Sequence, residues 1–516
     1  MVRGMPVRPP PLSFDAAPAR ETWVLVAVRW FGLWLLVSAG LLVALHSVLH
    51  DAHYWDAGGC YVHEARMHLQ NGIDLNKIRQ QLPWYLLRPP FYTGLLSLFM
   101  RVFGTSPIFT HIFHILFCAL LPVASAGIVK GMGGDRRSQV LAVLLCVSTS
   151  IYIAQISIVQ TDLPAATLVS LSWWALLRKR IFFFCLFSSL AVWTKESGYF
   201  IVVPAAVYLW WQAALVTPLA GPDRLARLRR AWALLWAAWP TLVAPLALVL
   251  WMVVRRFIKG NWMESDHVHA LSLVSPAAHY HNWLDAGRFA LSIFVCLGLY
   301  LYWKDRSRTN RPEVLCTGLA LFLLPWLFPS YLPRYMVLSL ALSTGLAALA
   351  ISSLTSFWQA RALLLVLMVQ IGAQAGYFTI RDIAHLESSL AYRGLLRLHQ
   401  QAAALVAAQG PRQVLTGFPA TFFLSFPPDL RYIPQPVPTW GARPDDTRTI
   451  WCQSDWLLEA QDDTVQPAIR ALHAIGALTL VAQLGPPPID PRALTLDKER
   501  DQTIRLYRIH CPPGAR

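Results

Sequence analysis

Long apolar runs separated by short polar turns dominate the chain from Thr22 to about residue 380. A helix needs about 17–25 mostly apolar residues to cross a bilayer. The runs 22–45, 107–129, 138–156, 162–177, 181–194, 198–216, 232–254, 286–303, 313–328, 335–354 and 361–379 meet or approach that length. They predict a mainly α, polytopic membrane protein with a bundle of about 11 transmembrane helices. The first run is too long for the apolar part of a cleavable signal. It reads as a signal anchor behind a loose tail, 1–21, that carries Arg3, Arg8 and Arg20.

Residues 89–103 break the pattern. This segment is short, opens with Pro89-Pro90 and has Arg88 and Arg101 at its ends. Laid in the membrane interface on the outer side, it leaves four basic loops on one side with the Arg-bearing N-terminus. These are Lys130/Arg136/Arg137, Arg178/Lys179/Arg180, Arg224/Arg227/Arg229/Arg230 and Lys304/Arg306/Arg308/Arg311. Counted as a span, it would part the N-terminus from all four. The positive-inside rule therefore predicts a cytoplasmic N-terminus. Loop 46–106, the turn 155–162, Lys195-Glu196, loop 255–285, the turn 329–334 and everything after about residue 380 then face the extracytoplasmic side. The transmembrane domain is expected over 22–379.

Past residue 380 polarity returns to that of a soluble protein. Residues 383–409 read as a helix, 412–418, 476–484 and 502–509 as strands, and 463–475 as a second helix, with Pro-rich turns between them. The pattern predicts a small extracytoplasmic α/β domain, 380–516.

Composition agrees with a membrane protein: 55% of the 516 residues are hydrophobic and 14% are charged, against about 25% charged in soluble domains. The net charge of +16 would suit nucleic acid, but the basic residues sit in short loops between apolar runs, which excludes that class. No internal repeat is visible, which weakens an inverted-repeat transporter. The eight cysteines show no zinc spacing. Cys452 and Cys511 share the tail, and the sequence leaves a disulfide and two unpaired thiols equally open. Histidines gather at His46, His50, His53, His63 and His68 and again at His267, His269, His279 and His281. Their spacing matches no metal motif, so no divalent metal or other cofactor is indicated.

Candidate chemistry lies in the outer segments. Tyr54-Trp55-Asp56-Ala57-Gly58 follows the first span, and Ala57–Gln70 can form a helix along the surface. A carboxylate at the membrane needs a partner, water or a task. For Asp56 and Asp51 the alternatives are a helix cap or a solvated loop acid. Arg88 suits a phosphate because its fork presents paired donors at fixed charge; a snorkelling anchor is the bland alternative. Asp162, two residues before Pro164, reads either as a helix cap or as a second acid facing a cavity. Lys195-Glu196 is either a self-paired turn or a source of positive charge for a phosphate site, and Arg334-Tyr335 carries the same ambiguity.

Taken in order, Tyr54-Trp55-Asp56, Tyr61, Arg88-Pro89-Pro90, Phe103-Gly104, Asp162, Lys195-Glu196-Ser197-Gly198 and Arg334-Tyr335 resemble the GT-C superfamily of polytopic glycosyltransferases. The resemblance is to the branch holding the aminoarabinose transferase of lipid A and the protein O-mannosyltransferases (glycosyltransferase family 39-like), and it covers about residues 22–354. It implies transfer of a sugar from a polyprenyl-phosphate donor to a lipid, glycan or protein acceptor on the outer face of a bacterial inner membrane. Asp56 then resembles the catalytic base and Asp162 the second acid. Arg88 takes the place of the residue that contacts the carrier phosphate, often Lys, with Lys195 and Arg334 as further phosphate contacts. Tyr54, Tyr61, Glu64, Glu196 and Tyr335 are candidates for acceptor binding or support. Many members carry paired acids in the first loop, whereas Ala57 follows Asp56 here, leaving Asp51 and Glu64 as reserves. One base and no evident nucleophile imply inversion at the anomeric carbon. A lipid-linked-sugar flippase and a non-catalytic scaffold are the competing classes.

Overall fold

A computed structural model describes residues 23–54, 56–72, 74, 76–77, 88–216, 232, 236–259, 287–304, 312–327, 333–374, 389–390, 392–417, 420–427, 430–441, 451–460, 465–485 and 504–511. Tail 1–21, Trp55, the basic clusters 224–230 and 306–311, the turn 329–332, and His267, His269, His279 and His281 lie outside the described residues.

The chain is a multi-pass membrane protein. Among the described residues six helices are long and apolar enough to span: Leu25–Ala44, Pro107–Gly131, Glu196–Leu215, Trp239–Ile258, Arg334–Ser352 and Ser356–Gln374. Four shorter apolar helices accompany them: Phe91–Phe103, Asp162–Leu177, Ile181–Val192 and Pro312–Phe322. Helix α1 (Asp162–Leu177) is central. It is apolar all round, and every residue but Trp174 is buried, as expected for a helix enclosed by others. Helix α2 (Leu120–Gly131) presses against it through Gly127 and Gly131, where a Cβ would stand 2.3 Å from the Trp174 ring and 2.8 Å from Leu177. Small residues four apart permit such close approach in the absence of a hydrophobic drive between membrane helices.

Two expected spans need correction. The run 138–156 is not one straight helix. Helices Arg136–Ser148 and Ser150–Ser157 meet at 61°. Thr149 is extended at the break, and its hydroxyl donates to the Leu145 and Cys146 carbonyls. The Ser150 amide donates to Gln370 Oε1 at 3.0 Å instead of to its own helix, an insertion into the helical ladder of the kind that kinks helices. The run expected at 232–254 reaches further, since its helix Trp239–Ile258 continues past residue 254, while residues 233–235 lie outside the described set.

Helix α3 (Phe91–Phe103) has 13 residues, about 20 Å at 1.5 Å per residue, too short to span. It buries Tyr92, Leu96 and Met100 against the protein and exposes Leu98, Val102 and Phe103. Its first amide donates to the Trp193 carbonyl at 2.9 Å, tying it to the end of helix α4 (Ile181–Val192).

The tail builds a five-stranded mixed sheet. Strands β1 (Val414–Thr416), β2 (Thr439–Gly441), β3 (Trp456–Ala460), β4 (Leu478–Leu484) and β5 (Ile504–Ile509) lie in the order β2-β1-β3-β5-β4. The β1–β2 and β1–β3 pairs are parallel, and β3–β5 and β5–β4 antiparallel. The expected strands 412–418, 476–484 and 502–509 appear in trimmed form. The expected helices 463–475 and 383–409 appear as Gln466–Ala474 and as α5 (Tyr392–Ala408); residues 383–388 lie outside the described set. The sequence missed β2, β3 and the short helix α6 (Ala420–Ser425). Cys452 and Cys511 form a disulfide, with Cα atoms 5.7 Å apart.

Candidate active site

Five segments converge at the Asp162 end of α1. Asp162 follows the turn that ends the preceding helix, and Pro164 fits the first turn, where its missing amide proton has no partner to lose. Thr161 takes the N-cap position and no side chain caps the helix there. The Asp162 carboxylate, 3% exposed, forms an ion pair with Lys195, and Arg334 Nε lies 3.8 Å from its other oxygen. Arg334, on the turn Pro333–Ser339, reaches Asp56 Oδ2 at 3.2 Å through Nη2. Asp56 also makes no side-chain cap. Both capping alternatives are therefore excluded, and the two acids share one guanidinium.

Lys195 and Glu196 do not pair with each other. Lys195 is extended, and successive side chains on extended backbone point to opposite sides. Lys195 turns to Asp162, and Glu196 meets Arg88 Nη1 at 3.3 Å. The turn is held by the Lys195 amide donating to the Ala191 carbonyl at 2.9 Å. It also needs Gly198, where a Cβ would stand 2.5 Å from the Ala191 carbonyl carbon. Tyr335 covers the cations: Lys195 Nζ lies 4.3 Å and Arg334 Cζ 5.5 Å from its ring centre, within cation–π range.

Asp56 opens a wide π-helical turn, Ala57–Tyr61, that leads into helix α7 (Val62–Asn71), half of whose residues are buried. Tyr61 is buried there, within electrostatic reach of Arg88, Asp56, Asp162 and Arg334. Burial holds its phenol well above the usual range, so it remains a hydrogen-bond donor. Burial, more than the nearby Asp56, likewise lifts the Cys60 thiol above the usual range.

The structure thus gathers Asp56, Asp162, Lys195, Arg334 and Tyr335 in one network, with the Arg88–Glu196 pair and Tyr61 beside it. The Tyr54 ring packs on Tyr392 and His399, at 5.2 and 6.3 Å. Glu64 is fully buried, 3.6 Å from His68 on its own helix. Asp51 is taken up by Arg393 at 2.6 Å. Sequence reasoning missed Gln160, whose Oε1 lies 3.5 Å from Arg334, and Arg255, buried and acting electrostatically on Glu196. The sequence reading put Arg255 at the start of loop 255–285, whereas it lies inside the helix Trp239–Ile258. Among the described residues no three His, Cys, Asp or Glu side chains form a metal-binding group. A cavity of about 340 Å³ lined by Asp135, Ser138, Tyr302 and Ser353 contains none of this network, so the chemistry is not assigned there.

No family model and no curated protein sequence matches the chain. Similarity is carried by structure. ArnT from Cupriavidus metallidurans bound to undecaprenyl phosphate superposes over 93% of this chain and 98% of its own, with TM-score 0.53 at 16% identity. The apo state of the same protein gives 0.51 over the same shares, again at 16% identity. The chain shares the fold of these two ArnT structures.

Proposed function

We propose that the protein transfers a sugar from a polyprenyl-phosphate donor to an acceptor on the extracytoplasmic face of the membrane, with Asp56 as base. The observation that carries this reading is the shared guanidinium: Arg334 bridges Asp56 and Asp162 at the mouth of a membrane bundle. Arg88, Lys195, Arg255 and Arg334 stand against Asp56, Asp162 and Glu196. This gathering of cations suits the negative charge of a sugar phosphodiester. The fold shared with ArnT, crystallised with undecaprenyl phosphate, supports a lipid-phosphate donor.

In the reaction the acceptor oxygen or nitrogen attacks the anomeric carbon as the bond from that carbon to the phosphate oxygen breaks. Asp56 accepts the acceptor proton. The electron pair leaves on the polyprenyl phosphate, whose growing charge meets Arg88 and Arg334. A phosphate is a good leaving group and needs no strong acid. A single displacement inverts the anomeric centre. Asp162, held by Lys195, fixes Arg334 between donor and base.

The cytoplasmic basic loops support this orientation. So does the Cys452–Cys511 disulfide, since such bonds persist in oxidising compartments. The test is lipid analysis of cells lacking the protein. The reading expects one polyprenyl-phosphate sugar to accumulate and to fall again on complementation. An unchanged lipid-linked sugar pool contradicts it. Movement of such a lipid across proteoliposomes without any sugar transfer would assign the protein to flippases instead.

A further inference from the structure

The segment Asp51–His63 crosses between the first span and α7 with Asp56 near its middle, and the C-terminal domain grips it on both sides. Before Asp56, the Asp51 carboxylate pairs with Arg393 of α5, which also donates to Ser47 Oγ at 3.1 Å. The Tyr432 hydroxyl donates to the His53 carbonyl at 2.8 Å. The Tyr54 ring is buried against Tyr392 and His399 of the same helix. After Asp56, the Phe422 ring of α6 lies directly on Gly59: a Cβ there would stand 1.9 Å from the ring edge. Further on, the His63 ring packs on Phe426 at 4.6 Å. Phe422 is itself buried and stacked beside Phe426 at 4.7 Å, so it has little room to withdraw.

The π-helical turn explains why this grip matters. Widened turns of this kind are uncommon and frequent at functional sites. Here the turn begins at Ala57, immediately after Asp56. Gly58 lies against the His53 carbonyl, where a Cβ would come within 3.2 Å, and Gly59 accepts the Phe422 ring. The loop therefore folds back on itself under a side chain supplied from over 360 positions further along the chain. The bundle contributes Arg334, which receives the Asp56 carboxylate, while the backbone that aims Asp56 is held from the other side by the tail.

We propose that the C-terminal domain is the positioning element of the active site, with Phe422 and Arg393 as positioning residues that set the Asp56 carboxylate against Arg334. This rests on the reading of Asp56 as the base, and gives the domain a task within the reaction rather than as a separate binding module. Phe422 acts through Gly59, on which its ring lies.

The experiment compares Gly59→Ala, Phe422→Ala and the double variant as full-length protein, measuring kcat, donor KM and the unfolding midpoint. A displacement of about 1 Å at a catalytic group costs about 100-fold in rate, and that loss is expected in kcat for Gly59→Ala. Donor KM should stay within about twofold, because Arg88 and Arg334 sit on other elements. Removing the ring makes room for the methyl group, so the double variant should regain at least about tenfold over Gly59→Ala. Wild-type kcat in Gly59→Ala overturns the proposal, as does a double variant that recovers its unfolding midpoint but not its kcat. If Gly59→Ala does not fold, Arg393→Ala and Arg393→Lys carry the test: the lysine, which keeps the charge on Asp51, should retain more kcat at equal KM, and equal turnover in the two overturns the proposal. Asp56→Asn measured alongside separates the two claims. An inactive Asp56→Asn with a normal Gly59 series rejects only the positioning role. Wild-type turnover in Asp56→Asn rejects the base reading itself.

Discussion

Removing the Lys195 ammonium should expose how strongly the buried charges depend on one another. The side chains of Lys195 and Asp162 are 7% and 3% exposed. Breaking a buried pair by deleting one partner costs about 3–5 kcal/mol, because the other charge stays buried. Asp162 keeps Arg334 at 3.8 Å, which places Lys195→Ala at the low end, about 3 kcal/mol. Removing both charges with apolar residues, as in Lys195→Met with Asp162→Val, leaves Arg334 paired with Asp56 at 3.2 Å. That double variant should lie within about 1 kcal/mol of wild type, since apolar replacement of a buried pair is often neutral. With Asp162→Val alone costing about 3 kcal/mol or more as well, the two losses exceed that of the double variant by about 5 kcal/mol. The assay is equilibrium unfolding in mixed detergent micelles, followed by fluorescence of the 22 tryptophans. Additive losses, with the double variant weaker than either single one, would refute the reasoning and remove the ion pair as the element that holds Arg334.

Three further outcomes follow from the same structure. Replacing Cys452 and Cys511 by serine opens a loop of 59 residues, worth about 4 kcal/mol by loop entropy. Hydrogen exchange in β3 and β5 should accelerate accordingly, and unchanged protection would contradict this. Burial lowers His63 to about 4, and its unfolded value is near 6.5. Between those values the unfolded chain holds the extra proton, so stability falls as pH drops from about 6.5 to about 4. Buried His53 and His399 act in the same direction, and an unfolding midpoint that stays flat between pH 7 and pH 4.5 would contradict the assignment. Gly198→Ala pushes a methyl group against the Ala191 backbone, 2.5 Å away. Overpacking of this kind costs about 1–3 kcal/mol, and because the same turn aims Lys195, turnover should fall together with the midpoint.

Much of the bundle was legible because a bilayer demands long apolar runs, and the charge of the loops then sorted the segments by side. That sorting put Asp56, Arg88, Asp162, Lys195 and Arg334 at one level, where the structure brings them together. Their pairing was not legible. Whether Lys195 meets Glu196 or Asp162 depends on one extended residue between a helix and a 3-10 turn, and no sequence period encodes that. The break at Thr149 was hidden for a similar reason, since its cause is Gln370, more than 200 positions away. Strand β3 is buried on both faces and so lacks the alternation that reveals strands, while β2 is only three residues long. The Gly58-Gly59 pair was visible, but the ring it accommodates arrives from Phe422. The sequence therefore showed the acid without showing what aims it.

The central claim is that Asp56 takes the acceptor proton while a polyprenyl phosphate departs. Its most direct measurement is transfer of labelled sugar from a polyprenyl-phosphate donor by purified wild-type and Asp56→Asn protein, matched for unfolding midpoint. Asp56→Asn should lose about 10²–10⁴-fold, the range for a positioned base, with donor binding retained through Arg88 and Arg334. Wild-type turnover by Asp56→Asn would contradict it.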